Sequence, residues 1–389
     1  MIGRTLVILT LLLFALVVGC DGGDTGRATS RDPVPPGNSV SGREIFRFDT
    51  FGNERYWTDT LRMHEVIETA VDPLTALAIG LKVDADALPP GILAQVDLSD
   101  PATTVALLEL DAVVGLRAQV VDGRIQRVGV TCALCHSDVD DSVQEGIGRR
   151  LDGYPNRDLN PGLILSLSPA LQDPAFQAVL TSWGPGRYDA YWNHDGINDP
   201  TLIPPAYGLD DVAVETYTGE GPVSYWNAYV AVTQMHSQGS FFDPELGIDI
   251  RAAPDLVTPK LPDLQAYQLT LPAPAPPLGS FDVAAAGRGA QVFEGRGTCA
   301  DCHVPPTFTD AGERVHAPSE TGMDPVLAGR GTTGGYRTTP LRGAWQHPPY
   351  FHDGSAATLA DVVEHYDGFL GLGLSAQEKA DLVEFLKSL

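Results

Sequence analysis

Two short stretches of the sequence place two cysteines and a histidine at the same spacing. The first motif is "TCALCH" at 131–136, and the second motif is "TCADCH" at 298–303. Two thiols three positions apart can add to the two vinyl groups of one haem, and the histidine beside the second thiol then lies beneath the iron. The predicted ligands of two haem c groups are Cys132, Cys135 and His136, and Cys299, Cys302 and His303.

Two other uses of these residues fit the sequence less well. A thioredoxin-like redox pair needs a βαβ context and has no use for the histidine. A zinc site needs four ligands at close range, whereas the two motifs are far apart in the chain. The chain has five cysteines, so the two motifs leave only Cys20 and no pair for a structural disulfide.

The N-terminal segment has the features of an export leader. Arg4 precedes an apolar stretch at 5–18 that is too short to span a bilayer comfortably. The stretch leads into "VVGC", which is similar to the lipobox of bacterial lipoproteins. We expect a lipoprotein signal peptide at 1–20, a lipid anchor on Cys20, and a flexible tether at 21–40. The protein would face the periplasm from the inner or outer membrane; an ordinary signal peptide with an incidental cysteine is the alternative.

The composition is strongly acidic, with a formal net charge of −25 at pH 7. Such a field repels nucleic acid and attracts a basic partner at low salt. We therefore expect no nucleic-acid partner, and a soluble or membrane redox partner of the cytochrome c or cupredoxin type. An acidic surface that only keeps the protein soluble is the alternative.

The remaining composition concerns the fold. The 41 glycines and 31 prolines predict a mainly α fold with short helices, long ordered loops and little β-sheet. A proline-rich linker at 271–280 divides the chain into an N-terminal haem domain at 41–270 and a C-terminal cytochrome c domain at 281–389. Each of these two cytochrome c-like domains contains one motif.

The C-terminal region has helical patterns at both ends. Residues 282–294 lead through glycines to Cys299, and Ser375 with Glu378 predicts a capping box for the final helix. This region resembles a class I cytochrome c domain, in which the first and last helices cross and the haem motif follows the first helix directly.

The segment at 335–368 carries a more specific resemblance. It contains "TTPLRG" and "PPYFHDG" ahead of "LADVVEHYDG", and it resembles the C-terminal haem domain of bacterial di-haem cytochrome c peroxidases and their methylamine-utilisation relatives. The stretch "SWGPGRYDAYWNHDGINDPTLIPPAYG" at 182–208 is similar to segments of the rubber-oxygenase-like branch of that superfamily. The resemblance implies that Arg342 contacts a haem propionate, although a surface arginine is the alternative. It also implies a calcium ion between the domains, for which no EF-hand-like spacing is present.

The opposite face of the second haem needs a ligand from the helix around residue 365. The resembled peroxidases have a methionine there, and the methylamine-utilisation relative has a tyrosine. This chain offers His365 and Tyr366, which point about 100° apart on a helix, so only one can face the iron. We favour His365, because imidazole is the better general ligand for haem iron; Tyr366 or neither residue is the alternative.

The first haem lacks a nearby histidine for its second face, because none follows the motif at 137–158. His236 is the first candidate, and His64 is the second; an open iron site is the third possibility. Each histidine is also a plausible core or surface residue. An open or displaceable position would make the His136 haem, with His236 beside it, the place of catalysis.

Electron and proton transfer require further residues. In the resembled peroxidases a tryptophan bridges the two haems, and Trp226 is our candidate among Trp183, Trp192 and Trp226, although ordinary packing is an alternative role. A proton acceptor beside the first haem could be any of Gln234, Gln238, Glu215 and Glu220.

The sequence thus predicts a di-haem c-type cytochrome oxidoreductase with electron transfer between its haems. A peroxidase-like enzyme is the first hypothesis. A non-catalytic electron carrier and an oxygenase-type enzyme resembling rubber oxygenase are the alternatives.

Overall fold

The computed structural model describes residues 29–389. The predicted signal peptide and the lipid site at Cys20 lie outside the described residues. Among the residues that are described, no helix has the length and apolar character needed to cross a bilayer.

The described end of the predicted tether is packed on the protein. The amide of Ser30 donates to the carbonyl of Phe242 at 2.9 Å, and the guanidinium of Arg31 pairs with Asp243 at 2.8 Å. The side chain of Asn38 then caps the first helix. These contacts join Ser30, Arg31 and Asn38 to the folded body in spite of the loop-like composition of the segment.

The described chain is mainly helical. Its α-helices are α1 (Ser39–Phe48), α2 (Met63–Ala70), α3 (Pro73–Ala78), α4 (Pro101–Glu109), α5 (Ala133–His136), α6 (Pro161–Ser166), α7 (Pro174–Ser182), α8 (Trp192–Asp195), α9 (Val223–Tyr229), α10 (Leu261–Gln268), α11 (Val283–Glu294), α12 (Pro318–Thr321), α13 (Val326–Arg330), α14 (Leu359–Leu370) and α15 (Ala376–Ser388). Short 3-10 turns lie at Ala85–Ala87, Ile92–Ala94, Thr258–Lys260, Cys299–Asp301 and Ala344–Gln346, and π-helical turns at Tyr56–Thr60 and Val230–Gln234.

The strands pair only two at a time. They are β1 (Val83–Asp84), β2 (Leu116–Val121), β3 (Arg124–Val130), β4 (Ser137–Val139), β5 (Ile147–Gly148), β6 (Arg150–Asp152), β7 (Arg187–Tyr188), β8 (Thr201–Leu202), β9 (Phe241–Asp243) and β10 (Ile248–Ile250). β1 pairs with β5 in parallel, whereas β2 with β3, β4 with β6, β7 with β8, and β9 with β10 are antiparallel. The prediction of a mainly α fold with little β-sheet is confirmed.

Local sequence explains where many helices begin. Helices α3, α4 and α7 each start with an aspartate cap followed by proline at the first helical position. The aspartate accepts a free backbone N–H, and proline has no N–H that would need a partner. Capping boxes begin α14 at Thr358 and α15 at Ser375, as the sequence predicts.

Three groups of buried side chains form the core. One, around α2, α4 and the β2–β3 hairpin, belongs to the first half of the chain. A second surrounds Tyr225 and Tyr229 and also includes Leu327 and Tyr336. Because those two residues lie beyond 281, the core of the first region continues into the predicted C-terminal domain.

The third group lies between α11, α14 and α15. Helices α11 and α15 cross closely at Gly289, where a Cβ atom would lie 2.1 Å from the carbonyl oxygen of Asp381. The crossing of first and last helices that the cytochrome c resemblance implies is therefore present, and it depends on this glycine.

Candidate functional site

The second motif is positioned by a glycine turn after α11. The amide of Gly297 donates to the carbonyl of Val292 at 2.7 Å, and a Cβ atom at Gly297 would lie 2.7 Å from that oxygen. Glycine is therefore required for this close approach. The 3-10 turn that follows brings the amide of His303 to 2.9 Å from the carbonyl of Cys299, so the histidine is fixed next to the thiols.

The imidazole of His303 has one defined tautomer. Its Nδ1 lies 3.0 Å from the carbonyl oxygen of Phe308. Because a carbonyl oxygen can only accept, Nδ1 carries the proton and Nε2 keeps its lone pair. Burial lowers the pKa of His303, which favours the neutral ring. A neutral imidazole with a free Nε2 can act as an axial ligand to a metal.

The first motif reaches the same arrangement from a different scaffold. It forms α5 between β3 and β4, where the amides of Asn156 and Gly153 donate to the carbonyls of Cys135 and His136 at 2.9 and 2.8 Å. Nδ1 of His136 lies 3.1 Å from the carbonyl oxygen of Pro204. Burial lowers the pKa of His136 to about 4. This ring is therefore also neutral, with Nε2 available.

The four motif cysteines are free thiols. Burial raises the pKa of Cys132 and of Cys135 to about 12, and the pKa of Cys299 to about 11. The pKa of Cys302 is also raised, first by burial. The thiols are protonated near neutral pH and unpaired, which leaves all four available for a covalent bond to a cofactor.

A cavity of about 260 Å³ lies beside the second motif. Its walls are mostly apolar and come from both regions of the chain. Wall residues of the C-terminal region include Phe293, Cys299, Cys302, His303, Leu359, Val363, Leu382 and Leu386, and those of the first region include Pro204, Pro205, Tyr207, Leu209 and Tyr217.

Three arginines in this cavity have donors without partners. Arg342, the predicted propionate contact, donates through Nη2 to the carbonyls of Gly208 and Asp210 at 3.0 and 2.9 Å, while its buried Nε has no partner. Nη1 of Arg337, and both Nε and Nη1 of Arg157, are also buried without a partner. Buried donors that bond to nothing are costly, and carboxylates satisfy guanidinium groups well. The cavity therefore fits a group that carries carboxylates.

The charges of two of these arginines support that conclusion. Burial lowers the pKa of Arg337 to about 10 and also lowers the pKa of Arg157. Buried guanidinium groups are normally paired with an anion. The motif at 335–368 predicts Arg342, whereas Arg157 and Arg337 are not predicted from the sequence; Arg157 comes from a loop of the first region.

Helix α14 turns Tyr366, and not His365, toward this cavity. Tyr366 lies on the wall, and burial together with the nearby motif thiols raises its pKa to about 12. Nε2 of His365 lies 2.9 Å from the carbonyl oxygen of Thr321, and its ring stacks on Phe369 at an interplanar angle of 7°. Ligand chemistry alone favours His365, but α14 presents Tyr366 to the cavity.

Three further histidines line the same cavity and were not singled out from the sequence. They are His316, His347 and His352. Nε2 of His316 lies 2.8 Å from Asp310, and the ring of His352 stacks on Tyr336 with centroids 4.7 Å apart. Burial lowers the pKa of His347 to about 4. His347 and His352 lie inside the 335–368 segment, so the resemblance of that segment could have indicated them.

A smaller cavity of about 80 Å³ lies beside His136. Trp226 lines it, and so does Glu215, one of the four candidate proton acceptors. Oε2 of Glu215 is buried without a hydrogen-bond partner, and burial raises the pKa of Glu215 to about 7. A carboxyl group with such a pKa can both give and take a proton near neutral pH.

The other candidate acceptors and tryptophans lie outside this cavity. Gln234 accepts a tyrosine hydroxyl, Gln238 donates to a backbone carbonyl, and Glu220 accepts from two threonine hydroxyls. Trp183 and Trp192 pack edge-to-face with centroids 5.9 Å apart.

The candidate distal histidines of the first haem also lie outside the two cavities. His236 is exposed, has a φ of 55°, and stacks on Tyr56 with centroids 3.8 Å apart. His64 lies in the first turn of α2, where its buried Nδ1 has no partner. The structure therefore brings Trp226 and Glu215 to His136, and it places both histidines elsewhere.

Acidic side chains between the two regions converge on an arginine. Arg330 of α13 donates to Asp189 and Asp195 at 2.7 Å each, and it lies near Asp199. Among residues 29–389, the group of His, Cys, Asp and Glu side chains compact enough for a metal ion is Cys302, Asp310 and His316. The calcium ion between the domains stays a prediction.

The comparisons with known proteins do not assign a family. No protein-family model and no curated protein matches the chain. Among similar solved structures, hydrazine synthase from Kuenenia stuttgartiensis is 20% identical with a TM-score of 0.32, over 49% of this chain and 73% of that chain. A MauG-like protein associated with microbial copper homeostasis is 22% identical with a TM-score of 0.28, over 37% of this chain and 62% of that chain. Both TM-scores are below the level of a shared fold.

Proposed function

We propose that this chain is a di-haem c-type cytochrome with oxidoreductase activity. The observation that carries the proposal is the matched state of His136 and His303. Each ring is neutral, donates a hydrogen bond from Nδ1–H to a backbone carbonyl, leaves Nε2 unprotonated, and follows two thiols that form no disulfide. Two sites that share this geometry on different scaffolds support a common use of the motif.

The cavity beside the second motif supports the same group. The thiols of Cys299 and Cys302 would attach the haem, and His303 would ligate the iron. Arg157, Arg337 and Arg342 offer the unmatched donors that two propionates need. Bound haem supplies reversible one-electron chemistry; the chain supplies its orientation, its apolar surroundings and its charge balance.

For the second haem we propose Tyr366 as the side chain that faces His303. Tyr366 lines the cavity, whereas the ring of His365 is committed to the carbonyl of Thr321. The raised pKa of Tyr366 means that the phenol keeps its proton in the haem-free chain; a bound ferric iron would favour the phenolate.

For electron transfer we propose a route along the wall that the two cavities share. Pro204, Pro205, Leu209 and Tyr217 line both cavities, whereas Trp226 lines only the one beside His136. The hydrogen bond from His136 to the carbonyl of Pro204 joins the first motif to this wall directly. Tyr217 is therefore a stronger candidate than Trp226 for a bridging aromatic side chain.

For the reaction we propose the peroxidase-like hypothesis, with catalysis at the first motif. Reduction of one hydrogen peroxide to two waters consumes two electrons and two protons. Glu215 lies in the same cavity as His136 and has a raised pKa of about 7, so it can deliver one of those protons and be reprotonated from solvent. His236 and His64 remain candidates for displaceable ligands of this haem.

The location and partner are also proposals. We propose export, a lipid on Cys20, and a basic redox partner of the cytochrome c or cupredoxin type that the net charge of −25 attracts. Cys20→Ser should move the protein from the membrane fraction to the soluble fraction, with Cys132→Ser as the control that keeps the anchor. Membrane retention of Cys20→Ser would contradict the anchor.

The haem assignment is tested by counting covalent haem. The protein, made in cells that attach haem c, should carry two haems by intact mass and by absorbance that survives acid-acetone extraction. The pair Cys132→Ser and Cys135→Ser should retain one haem, and the pair Cys299→Ser and Cys302→Ser should retain the other. A protein without covalent haem under these conditions contradicts the proposal.

The activity is tested on the two single-haem variants and the intact protein. Peroxide-dependent oxidation of a reduced cytochrome c should require both haems, and a high-spin signal that shifts with peroxide should remain in the variant that keeps only the first haem. Low-spin spectra that ignore peroxide in every variant would replace the enzyme with the electron carrier. Oxygen uptake without peroxide turnover would favour the oxygenase-type alternative.

A further inference from the structure

Three potential metal ligands meet beside the second motif. The sulfur of Cys302, a carboxylate oxygen of Asp310 and a ring nitrogen of His316 all lie within 4.8 Å of one another. Thiolate, carboxylate and imidazole are the three side-chain ligand types that zinc uses, and three protein ligands with one open position are typical of zinc sites that keep a water. The sequence analysis rejected zinc because it considered only the two motifs together.

The group is held in place by the fold. Asp310 and His316 are 9% and 4% exposed. The backbone of His316 exchanges two hydrogen bonds of 2.8 Å with Tyr336, and Nε2 of His316 lies 2.8 Å from Oδ2 of Asp310. Because a carboxylate accepts hydrogen bonds, Nε2 of His316 is the donor in this contact. The side chains are therefore positioned before any ion binds.

A separate observation indicates a missing partner. Oδ1 of Asp310 is buried and has no hydrogen-bond partner, although buried polar atoms in folded proteins normally have one. The sulfur of Cys302 lies within 4.8 Å of the Asp310 carboxylate, so a cation between the two groups would satisfy this carboxylate oxygen.

We propose that the haem-free chain binds one zinc-type divalent cation through Cys302, Asp310 and His316, with water as the fourth ligand. Zinc bonds of about 2.0 to 2.3 Å place tetrahedral ligand atoms about 3.3 to 3.8 Å apart, so small side-chain rotations are sufficient to close the site. On binding, the Cys302 thiol loses its proton to solvent and the sulfur bonds to the metal, while any proton on the ligating nitrogen of His316 moves to the other ring nitrogen or to solvent.

Zinc at this site would compete with covalent haem at the second motif only. Addition of Cys302 to a haem vinyl group makes its sulfur a thioether, which can no longer serve as a thiolate ligand. Zinc and covalent haem therefore exclude each other at the second motif, whereas the first motif has no such neighbours. Excess zinc during haem attachment should leave a chain with the first haem and without the second.

The test uses the full chain purified without haem and Co²⁺ as the probe. One equivalent of Co²⁺ should give d–d bands of a tetrahedral site and a thiolate-to-metal charge-transfer band. Cys302→Ser should abolish the charge-transfer band, and His316→Ala should weaken binding by more than about 100-fold, because changes to outer residues alone cost about 10- to 100-fold. Cys299→Ser is the matched control, since it removes a thiol of the same motif outside the group.

Three outcomes would overturn the site. Cys299→Ser could weaken binding as much as Cys302→Ser, which would indicate a simple C-x-x-C site. His316→Ala could bind as well as the unmodified chain, or the haem-loaded protein could give the same charge-transfer band. Circular dichroism of each variant verifies folding. Covalent haem without Co²⁺ binding in the haem-free chain refutes only this site, and Co²⁺ binding in a chain that never acquires haem refutes only the proposed function.

Discussion

The first motif lies between two strands beside a cavity of about 80 Å³, whereas the second follows a helix and opens onto a cavity of about 260 Å³. The small cavity is lined by several charged side chains, among them Glu215 with its unpartnered Oε2. The large cavity is mostly apolar, and three arginines on its wall have donors without partners. For the proposed function, this difference favours proton exchange beside His136 and a large carboxylate-bearing group beside His303.

The two sites also share one hydrogen bond on different scaffolds. Nδ1–H of His136 donates to the carbonyl of Pro204, and Nδ1–H of His303 donates to the carbonyl of Phe308, so both acceptors lie outside the motif. The motif spacing therefore fixes the thiols and the ring locally, while the tautomer is set by a contact outside the motif.

Among substitutions that test the difference between the two cavities, we expect the largest loss of stability at Arg330, which lines the small cavity. Its side chain is 3% exposed and its partner Asp189 is 1% exposed. Arg330→Met leaves buried carboxylates without their cation, so the free energy of unfolding in urea should fall by about 3 to 5 kcal/mol. Arg296→Met, which breaks an exposed pair with Glu378, is the control and should cost less than about 1 kcal/mol. Equal losses would contradict the importance of the buried cluster.

The next effect concerns the proton at Glu215. Burial raises its pKa from 4.5 to about 7, so the folded chain holds this proton more tightly than the unfolded chain. The contribution is complete below pH 4.5 and is lost as the pH rises through about 7, on the order of 3 kcal/mol in total. Glu215→Gln should remove this loss of stability with rising pH. Between pH 5 and pH 8, the unfolding free energy of the variant should therefore increase relative to that of the unmodified protein.

Exposed Glu145 provides the control for that titration. Glu145→Gln makes the same change of charge on the surface and should follow the pH profile of the unmodified protein. If Glu215→Gln follows that profile as well, the carboxyl group is not held neutral by its cavity.

A smaller effect is expected in the helix crossing that supports the large cavity. Gly289→Ala places a Cβ atom against the backbone of Asp381, and overpacking of this kind costs about 2 kcal/mol. Gly287 lies on the same helix with nothing within 4 Å of a Cβ position, so Gly287→Ala should stabilise by up to about 1 kcal/mol through helix propensity. Thermal unfolding of the two variants measures the contrast, and a loss in both would contradict it.

The smallest effect compares helix caps in the two regions. Thr358 and Asp361 exchange bonds in a capping box on the helix that carries Tyr366, whereas Asp72 caps α3 with one side-chain bond. Thr358→Ala and Asp72→Ala should each lower the free energy of unfolding by about 1 kcal/mol in denaturant titrations. Only Thr358→Ala should also alter the fluorescence of Tyr366, measured against Tyr366→Phe; an unaltered signal would show that the cap does not position this tyrosine.

The sequence was sufficient for features that depend on neighbouring residues. The helix caps at Thr358 and Ser375, the low sheet content, and the helices on either side of the second motif all follow from local spacing. The 3.6-residue period also predicts that only one of His365 and Tyr366 can face the cavity. It does not predict which one, because that choice depends on how α14 packs against Thr321 and Phe369.

Features that require distant loops could not be derived. Arg157 reaches the large cavity from a loop of the first region, and Glu215 alone among four acceptors lies beside His136. Neither loop has a hydrophobic period that would fix its path. The ion pair between Arg31 and Asp243 could not be derived either, because it joins positions far apart in the chain.

The hydrogen bond from His136 ends on an unusual peptide. Its acceptor is the carbonyl of Pro204, and the next residue is Pro205, so both φ angles are restrained by rings and the peptide between them has no N–H. The imidazole is therefore hydrogen-bonded to a conformationally restricted segment that lines the cavities of both motifs. A substitution that reshapes this Pro-Pro segment should alter the surroundings of both motifs at once.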